Sequence, residues 1–232
     1  MSDIPRAFGR LHIPDKRDDL YPFSAAEEVL STPLEEKRAS VSLRSAKRKC
    51  EVCWGVKGVL DQGRMPHCVA FAWKHYLIGA PIKQARFLVP AFLYELAQKY
   101  DQWPGENYDG TSVRGAVKIL NKLGFVKSYW WGKSAKDVHG WVMKRGPVVL
   151  GTLWYENMSR LDRSGYAIPS GRVLGGHAYL CIGYNKKRKA FKCLNSWGAS
   201  WGVKGKFWIS FKNMDFLVKK GGEACIALER NV

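Results

Sequence analysis

A change of rhythm near Gly146 constrains this 232-residue chain more than any other feature. Before it, LVPAFLYELAQKY and GTSVRGAVKILNKLG carry apolar residues at helical spacing. Pro90 sits where a first turn tolerates it, Thr111 or Ser112 is placed as a cap, and Gly124 follows a last turn. A further helix is predicted over Ala135–Lys144, capped by Ser134. After Gly146, the runs GPVVLGTLW, GHAYLCIGYN, AFKCLNSW, KFWISF and ACIALER are short, apolar and rich in β-branched and aromatic residues. Gly or charged turns separate them, which is the pattern of strands. No linker composition marks the switch, so two lobes sharing one interface are expected rather than two free domains. The predicted fold class is α+β, with an N-terminal arm or docking segment at 1–50, a helical lobe at 51–145 and a β lobe at 146–232. With 46% apolar residues and 10 Trp, the chain can bury a sizeable core without disulfides.

The chemistry is carried by three separated stretches. In DQGRMPHCVAFAW, residues 61–73, Cys68 opens an apolar run that Gly79 and Pro81 end, so a thiol stands at a helix start. Unpaired N–H groups and the positive end of the helix dipole favour an anion there, and Cys68 should ionise more easily than a free cysteine. In GGHAYLCIGYN, His177 stands behind two glycines at the head of a strand, and in LNSWGASWG, Asn195 ends the next one. A cysteine, a histidine and an asparagine on three elements suit a thiol nucleophile with a base that an amide side chain orients.

These residues resemble those of the papain-like cysteine peptidases, of the prokaryotic or phage type without a long propeptide. The family pattern Q-G-x-x-G-S-C-x-A-F matches Gln62, Gly63, Cys68, Ala70 and Phe71, and N-S-W-G-x-x-W-G matches Asn195, Ser196, Trp197, Gly198, Trp201 and Gly202. The resemblance implies a helical lobe packed on an antiparallel β-sheet or barrel lobe, with the active-site cleft between them. It implies an endopeptidase in which Cys68 attacks, His177 moves the proton, Asn195 orients the ring under Trp197, and Gln62 helps form the oxyanion hole. It also implies substrate-binding positions at Gly110, Thr111, Val113 and Gly176, around an open, apolar pocket. The chain departs from the pattern in having Pro66-His67 before the nucleophile, and in having Met65 where secreted members carry a bridging cysteine. The same constellation would serve an amide or acyl transferase, and the fold could persist in a structural or binding protein, such as a phage particle component, with weak or no catalysis.

No cofactor is expected. The Cys50-x-x-Cys53 pair is half of a zinc ribbon, and no second pair or spaced histidine completes it, so no metal is expected either. Cys181 and Cys193 are read as unbridged strand residues. The net charge of +18, with six basic residues in Lys37–Lys49 and others at Lys186–Lys192 and near the C-terminus, reads either as a solvated basic surface that aids solubility or as one that attracts polyanions or an acidic partner surface without a specific site. The N-terminal arm lacks the long helical pattern of the family's inhibitory propeptide. It is read as a strap over the body, a segment docking into a larger assembly or a partly disordered tail, with Ser24 and Glu27 starting a short helix before Pro33. The N-terminus has no apolar signal core and no run is long enough to span a membrane, so a cytoplasmic protein is expected, or a virion protein if phage-encoded.

Overall fold

The computed structural model describes residues 7–12, 15–29, 51–79, 81, 83, 88–100 and 109–229. The basic run Lys37–Lys49, Pro33 and Cys50 lie outside these described residues. Among them, one antiparallel sheet forms the frame. Its strands are β1 (Glu51–Cys53), β2 (Val126–Gly132), β3 (Val148–Tyr155), β4 (Val173–Asn185), β5 (Ala190–Leu194), β6 (Lys206–Ser210) and β7 (Glu223–Glu229). Their order is β2-β7-β3-β4-β5-β6, with β1 paired to the far end of β4. The helices are α1 (Phe23–Val29), α2 (Cys68–Leu77), α3 (Pro90–Tyr100), α4 (Val113–Lys122), α5 (Ala135–Lys144) and α6 (Phe211–Lys219).

The period of two along the central strands divides the interior into two cores. Val149, Ala178, Leu180, Ile182, Cys225 and Ala227 point into one core, shared with α2, α3 and α4. Val148, Leu150, Tyr179, Cys181, Ala224 and Ile226 point into the other, with Trp154, Trp197, α5 and α6. Strands buried on both faces have no polar face to alternate, which is why they read as continuous apolar runs.

Local signals set the helix boundaries. Pro90 occupies the first position of α3. Ser112 caps α4 by accepting from the Gly115 amide, Gly124 takes φ 79° beyond its end, and Ser134 caps α5 by accepting from Asp137 N–H. The α+β fold matches expectation, and several elements add to it. The stretch 51–145, expected to be helical, also supplies β1 and β2, and β2 pairs with the C-terminal β7. The run KFWISF ends as a strand at Ser210, whose side chain accepts from Asn213 N–H and opens α6. α1 begins at Phe23, so Ser24 lies inside it rather than before it.

The arm is tied down along its described length. Arg114 on α4 pairs with Asp15 and Asp18 at the 3-10 turn Lys16–Leu20. Trp131 N–H donates to Tyr21 carbonyl at 2.9 Å, Tyr21 stacks on Tyr129, and Phe23 meets the edge of Trp141. Among the described residues no helix is long and apolar enough to cross a membrane.

Candidate active site

Cys68 is the first residue of α2, after His67, whose side chain makes no cap to the helix. The backbone amides of Ala178, Gly9 and Val69 hydrogen-bond toward the sulfur. Ala178 follows His177 on β4, so the fold brings the thiol next to the histidine-bearing strand. The helix start alone would lower the thiol pKa. Here burial dominates and pushes Cys68 up to about 11, with the amides and Arg10 opposing it. The expectation of an easily ionised thiol is thus overturned for this closed arrangement, because Cys68 is fully covered.

The ring of His177 is fixed by Asn195. Nε2 lies 2.8 Å from Asn195 Oδ1, and the same oxygen accepts the Ser196 backbone N–H at 2.8 Å. An amide donor already on that atom identifies it as the oxygen, so Nε2 carries the imidazole hydrogen and Nδ1 keeps its lone pair. Among the described residues Nδ1 has no hydrogen-bond partner. Trp197 covers the pair, its ring 4.7 Å from that of His177, and Trp154 closes the edge at 4.9 Å. Desolvation inside this aromatic box lowers His177 to about 4, although the Asn195 bond pulls the other way. At neutral pH both Cys68 and His177 are therefore uncharged.

Gln62 ties the two sides of the site together. Its N–H donates to Ser196 carbonyl at 2.8 Å, its Oε1 accepts from Ser196 Oγ at 2.7 Å, and its Nε2 donates to Met65 carbonyl at 2.8 Å. The same Nε2 reaches Ala7 carbonyl at 3.2 Å.

Ala7 belongs to the arm, whose residues 7–12 run through the site. The ring of Phe8 packs edge-on against His177 and Trp197 at 6.0 and 6.1 Å. Gly9 lies so close to Pro66 that a Cβ built on it would stand 1.7 Å from Pro66 carbonyl oxygen. Thr111 N–H donates to Gly9 carbonyl at 2.8 Å, Leu11 N–H to Thr111 carbonyl at 3.0 Å, and Arg10 N–H to Gly176 carbonyl at 3.0 Å. This strap is what seals the sulfur. It presents to Cys68 the N–H of Gly9, a donor, rather than a carbonyl carbon to attack.

The predicted substrate-side positions Gly110, Thr111, Val113 and Gly176 lie along this strip. Gly110 takes φ 109°, and its N–H is held by the Tyr94 hydroxyl at 2.9 Å. The His67 ring lies on Tyr94 with centroids 3.9 Å apart, so the unusual residue before Cys68 buttresses the Gly110–Thr111 corner. Val113, Gly151 and Gly176 surround Arg10: a Cβ on Gly151 would meet Val113 Cγ2 at 2.8 Å and Arg10 Nε at 3.0 Å. The space expected to be open and apolar is neither. Arg10 fills it and ends on Glu223, with Nε 3.0 Å from Oε2. Sequence reading missed Arg10, Phe8 and Glu223. The available signal was a charged residue, Glu223, opening the apolar run ACIALER. Cys181 and Cys193 face each other across β4 and β5 as free thiols.

A family model for the papain family of cysteine proteases matches residues 97–223, a region that takes in His177 and Asn195 and begins after Cys68. The chain belongs to the papain family. It is 34% identical over 114 residues to a cathepsin B-like cysteine proteinase 3 of Ostertagia ostertagi, a match covering 44% of this chain and 65% of that protein. It is 25% identical to an uncharacterized peptidase C1-like protein of Acanthamoeba polyphaga mimivirus, over 91% of this chain and 83% of the other. Among solved structures, xylellain, a cysteine protease from Xylella fastidiosa, superposes with a TM-score of 0.73 at 20% identity, covering 97% of each chain.

Proposed function

We propose that this chain is a cysteine endopeptidase, held closed by its own N-terminal strap, which hydrolyses peptide bonds through Cys68, His177 and Asn195. The observation that carries the reading is the tautomer of His177: Asn195 holds Nε2–H, leaving Nδ1 as the bare nitrogen beside the strand that touches the Cys68 sulfur. Once the strap leaves, water re-enters, the desolvation that keeps both groups neutral is relieved, and the thiol proton passes to Nδ1. The thiolate attacks a substrate carbonyl carbon, and the oxygen takes up the charge between Gln62 Nε2, freed from Ala7, and the Cys68 backbone N–H. Collapse breaks the C–N bond, the imidazolium gives its proton to the leaving amine, and a thioester remains. Water, deprotonated by Nδ1, cleaves the thioester and restores the thiol.

The test is an irreversible peptidyl epoxide and mass analysis of the digest. One adduct is expected, on Cys68, absent in Cys68→Ala and strongly slowed in His177→Ala. Label distributed evenly over the six cysteines would leave the chain without a privileged nucleophile and overturn the reading.

A further inference from the structure

A second histidine, His75, stands two turns along α2 from Cys68 and takes no part in the site described so far. Cys68, Ala72 and His75 fall at i, i+4 and i+7, on one face of that helix. His75 is fully buried, and its Nε2 accepts the backbone N–H of Leu60 at 3.0 Å. An acceptor at Nε2 needs a lone pair there, so the ring carries its hydrogen on Nδ1. Among the described residues Nδ1 has no hydrogen-bond partner. Burial, with Lys206 adding to it, lowers His75 to about 4, so the ring is neutral and the lone pair is present at neutral pH. The ring thus makes one hydrogen bond and leaves one buried donor unmet, and the second effect is at least as large as the first. Packing gives no reason for a histidine at this position; what the bond holds does.

It holds the segment that carries Gln62. Leu60 carbonyl accepts from Gly198 N–H at 3.1 Å, Gln62 N–H donates to Ser196 carbonyl at 2.8 Å, and Asp61 bridges to Trp197. Those contacts fasten residues 60–62 to the loop after Asn195, and none of them reaches α2. The bond from Leu60 N–H to His75 does. The two donors proposed for the oxyanion, Gln62 Nε2 and the Cys68 backbone N–H, sit on these two pieces, and they can act on one oxygen only at a fixed separation. The first residue of α2 offers the Cys68 N–H, and its last turn grips the strip that bears Gln62.

We propose that His75 is a positioning residue of this peptidase: by holding Leu60 to α2, it keeps the Gln62 donor in register with the Cys68 backbone N–H. Its catalytic effect rests on the peptidase reading above, while its hold on Leu60 is independent of turnover. His75 acts through Leu60 and moves no proton. Glutamine can place Oε1 where the ring has Nε2 and accept the same N–H, whereas leucine offers no acceptor and asparagine is one methylene too short.

The experiment uses the full chain in the Gly9→Ala background, with His75→Leu, His75→Asn, His75→Gln and Gln62→Ala made singly, and His75→Leu and His75→Asn each combined with Gln62→Ala. kcat and KM are measured on one peptide, selected from a mixed library by its cleavage in that background. His75→Leu and His75→Asn should lower kcat by about 10- to 100-fold, the scale of a misplacement near 1 Å, with KM within about 3-fold. His75→Gln should keep kcat within about 3-fold of the background. Where Gln62 is already alanine, either loss at His75 should change kcat by less than about 3-fold, because the donor it positions is gone. A histidine that only supports the fold would cost the same factor with and without Gln62, and that result, or leucine and asparagine tolerated without loss, would overturn the proposal. A second arm needs no turnover: with Cys68→Ala added, hydrogen exchange of the Leu60 and Gln62 amides is followed. Exchange should accelerate by at least about 10-fold in His75→Leu and His75→Asn and return toward the parent rate in His75→Gln. Cleavage and amide protection both indifferent to His75 would remove the positioning role and leave the peptidase standing. Protection that depends on His75 in a chain that cleaves no peptide would sink the peptidase reading, and the catalytic effect with it, and leave only the hold on Leu60.

Discussion

Substituting Gly9 by alanine should open the active site, and the size of the effect follows from the contacts at one atom. The added Cβ would lie 1.7 Å from Pro66 carbonyl oxygen, 2.4 Å from its carbonyl carbon and 2.8 Å from its Cα. All three neighbours are backbone, so no side chain can swing away, and the strap has to move by more than about 1 Å. A displacement of that size breaks the bonds from Thr111 N–H to Gly9, from Leu11 N–H to Thr111 and from Arg10 N–H to Gly176, and pulls Arg10 off Glu223. At about 0.5–1.5 kcal/mol for each neutral bond and 1.5–3 kcal/mol for the charged one, the closed state loses about 3–7 kcal/mol. The open population, and with it the rate of Cys68 alkylation by a peptidyl epoxide, should rise by at least about 100-fold. Gly55→Ala is the matched control, since a Cβ there meets nothing within 4 Å. An alkylation rate for Gly9→Ala within about 3-fold of the parent chain would mean that the strap does not govern access, and the reasoning from its contacts would fail.

Acid should release the strap. His177 is held at about 4 by desolvation against an ordinary 6.5. The contribution of His177 to the closed arrangement is therefore fully present above about 6.5 and falls by up to about 3 kcal/mol as pH drops toward 4. Glu223, lowered by Arg10 and His12 against its burial, adds in the same direction below 4.5. Hydrogen exchange of residues 7–12, corrected for intrinsic rates, should accelerate between pH 7 and pH 4.5, and unchanged protection would contradict this. Tyr94→Phe removes the hydroxyl that holds Gly110 N–H, and should raise KM several-fold with little change in kcat and a stability loss of about 1 kcal/mol. A fall in kcat with KM unchanged would place Tyr94 in the chemical step instead. In the Gly9→Ala background, Gln62→Ala should lower kcat by about 100- to 1,000-fold if Gln62 Nε2 supports the oxyanion, and a loss under 10-fold would remove it from that role.

The parts of the fold that the sequence made legible are those specified by neighbours in the chain. Ser112, Ser134 and Pro90 act within one helical turn of themselves, and the helices they start were readable from them. β2 was not, because VKSYWWG has neither clean alternation nor a continuous apolar core. Its identity as a strand comes from pairing with β7, at the opposite end of the chain. α6 was hidden because Phe211 continues the apolar run of β6, and only the Ser210 cap separates them. The residues brought together at the site, Cys68, His177, Asn195 and Gln62, were visible because each sits in a motif several residues long. That the arm could strap the body was legible, but not that it crosses the site, since FGRL acquires its meaning from Pro66, Thr111, Gly176 and Glu223, none of them nearby in sequence. Burial by that strap also reversed the expected state of the thiol, an effect no local pattern encodes.

The double tether between Gln62 and Ser196 has a consequence for how such a protein can be switched. Segment 60–62 and the loop after Asn195 are stitched by Gln62 N–H to Ser196 carbonyl, Gly198 N–H to Leu60 carbonyl, and Ser196 Oγ to Gln62 Oε1. Gln62, the proposed oxyanion donor, and Asn195, which holds the imidazole, therefore share one tethered piece, and cannot drift apart to idle the machinery. Control falls instead to occupancy: the tool stays assembled, and what changes is whether something is lying across its jaws.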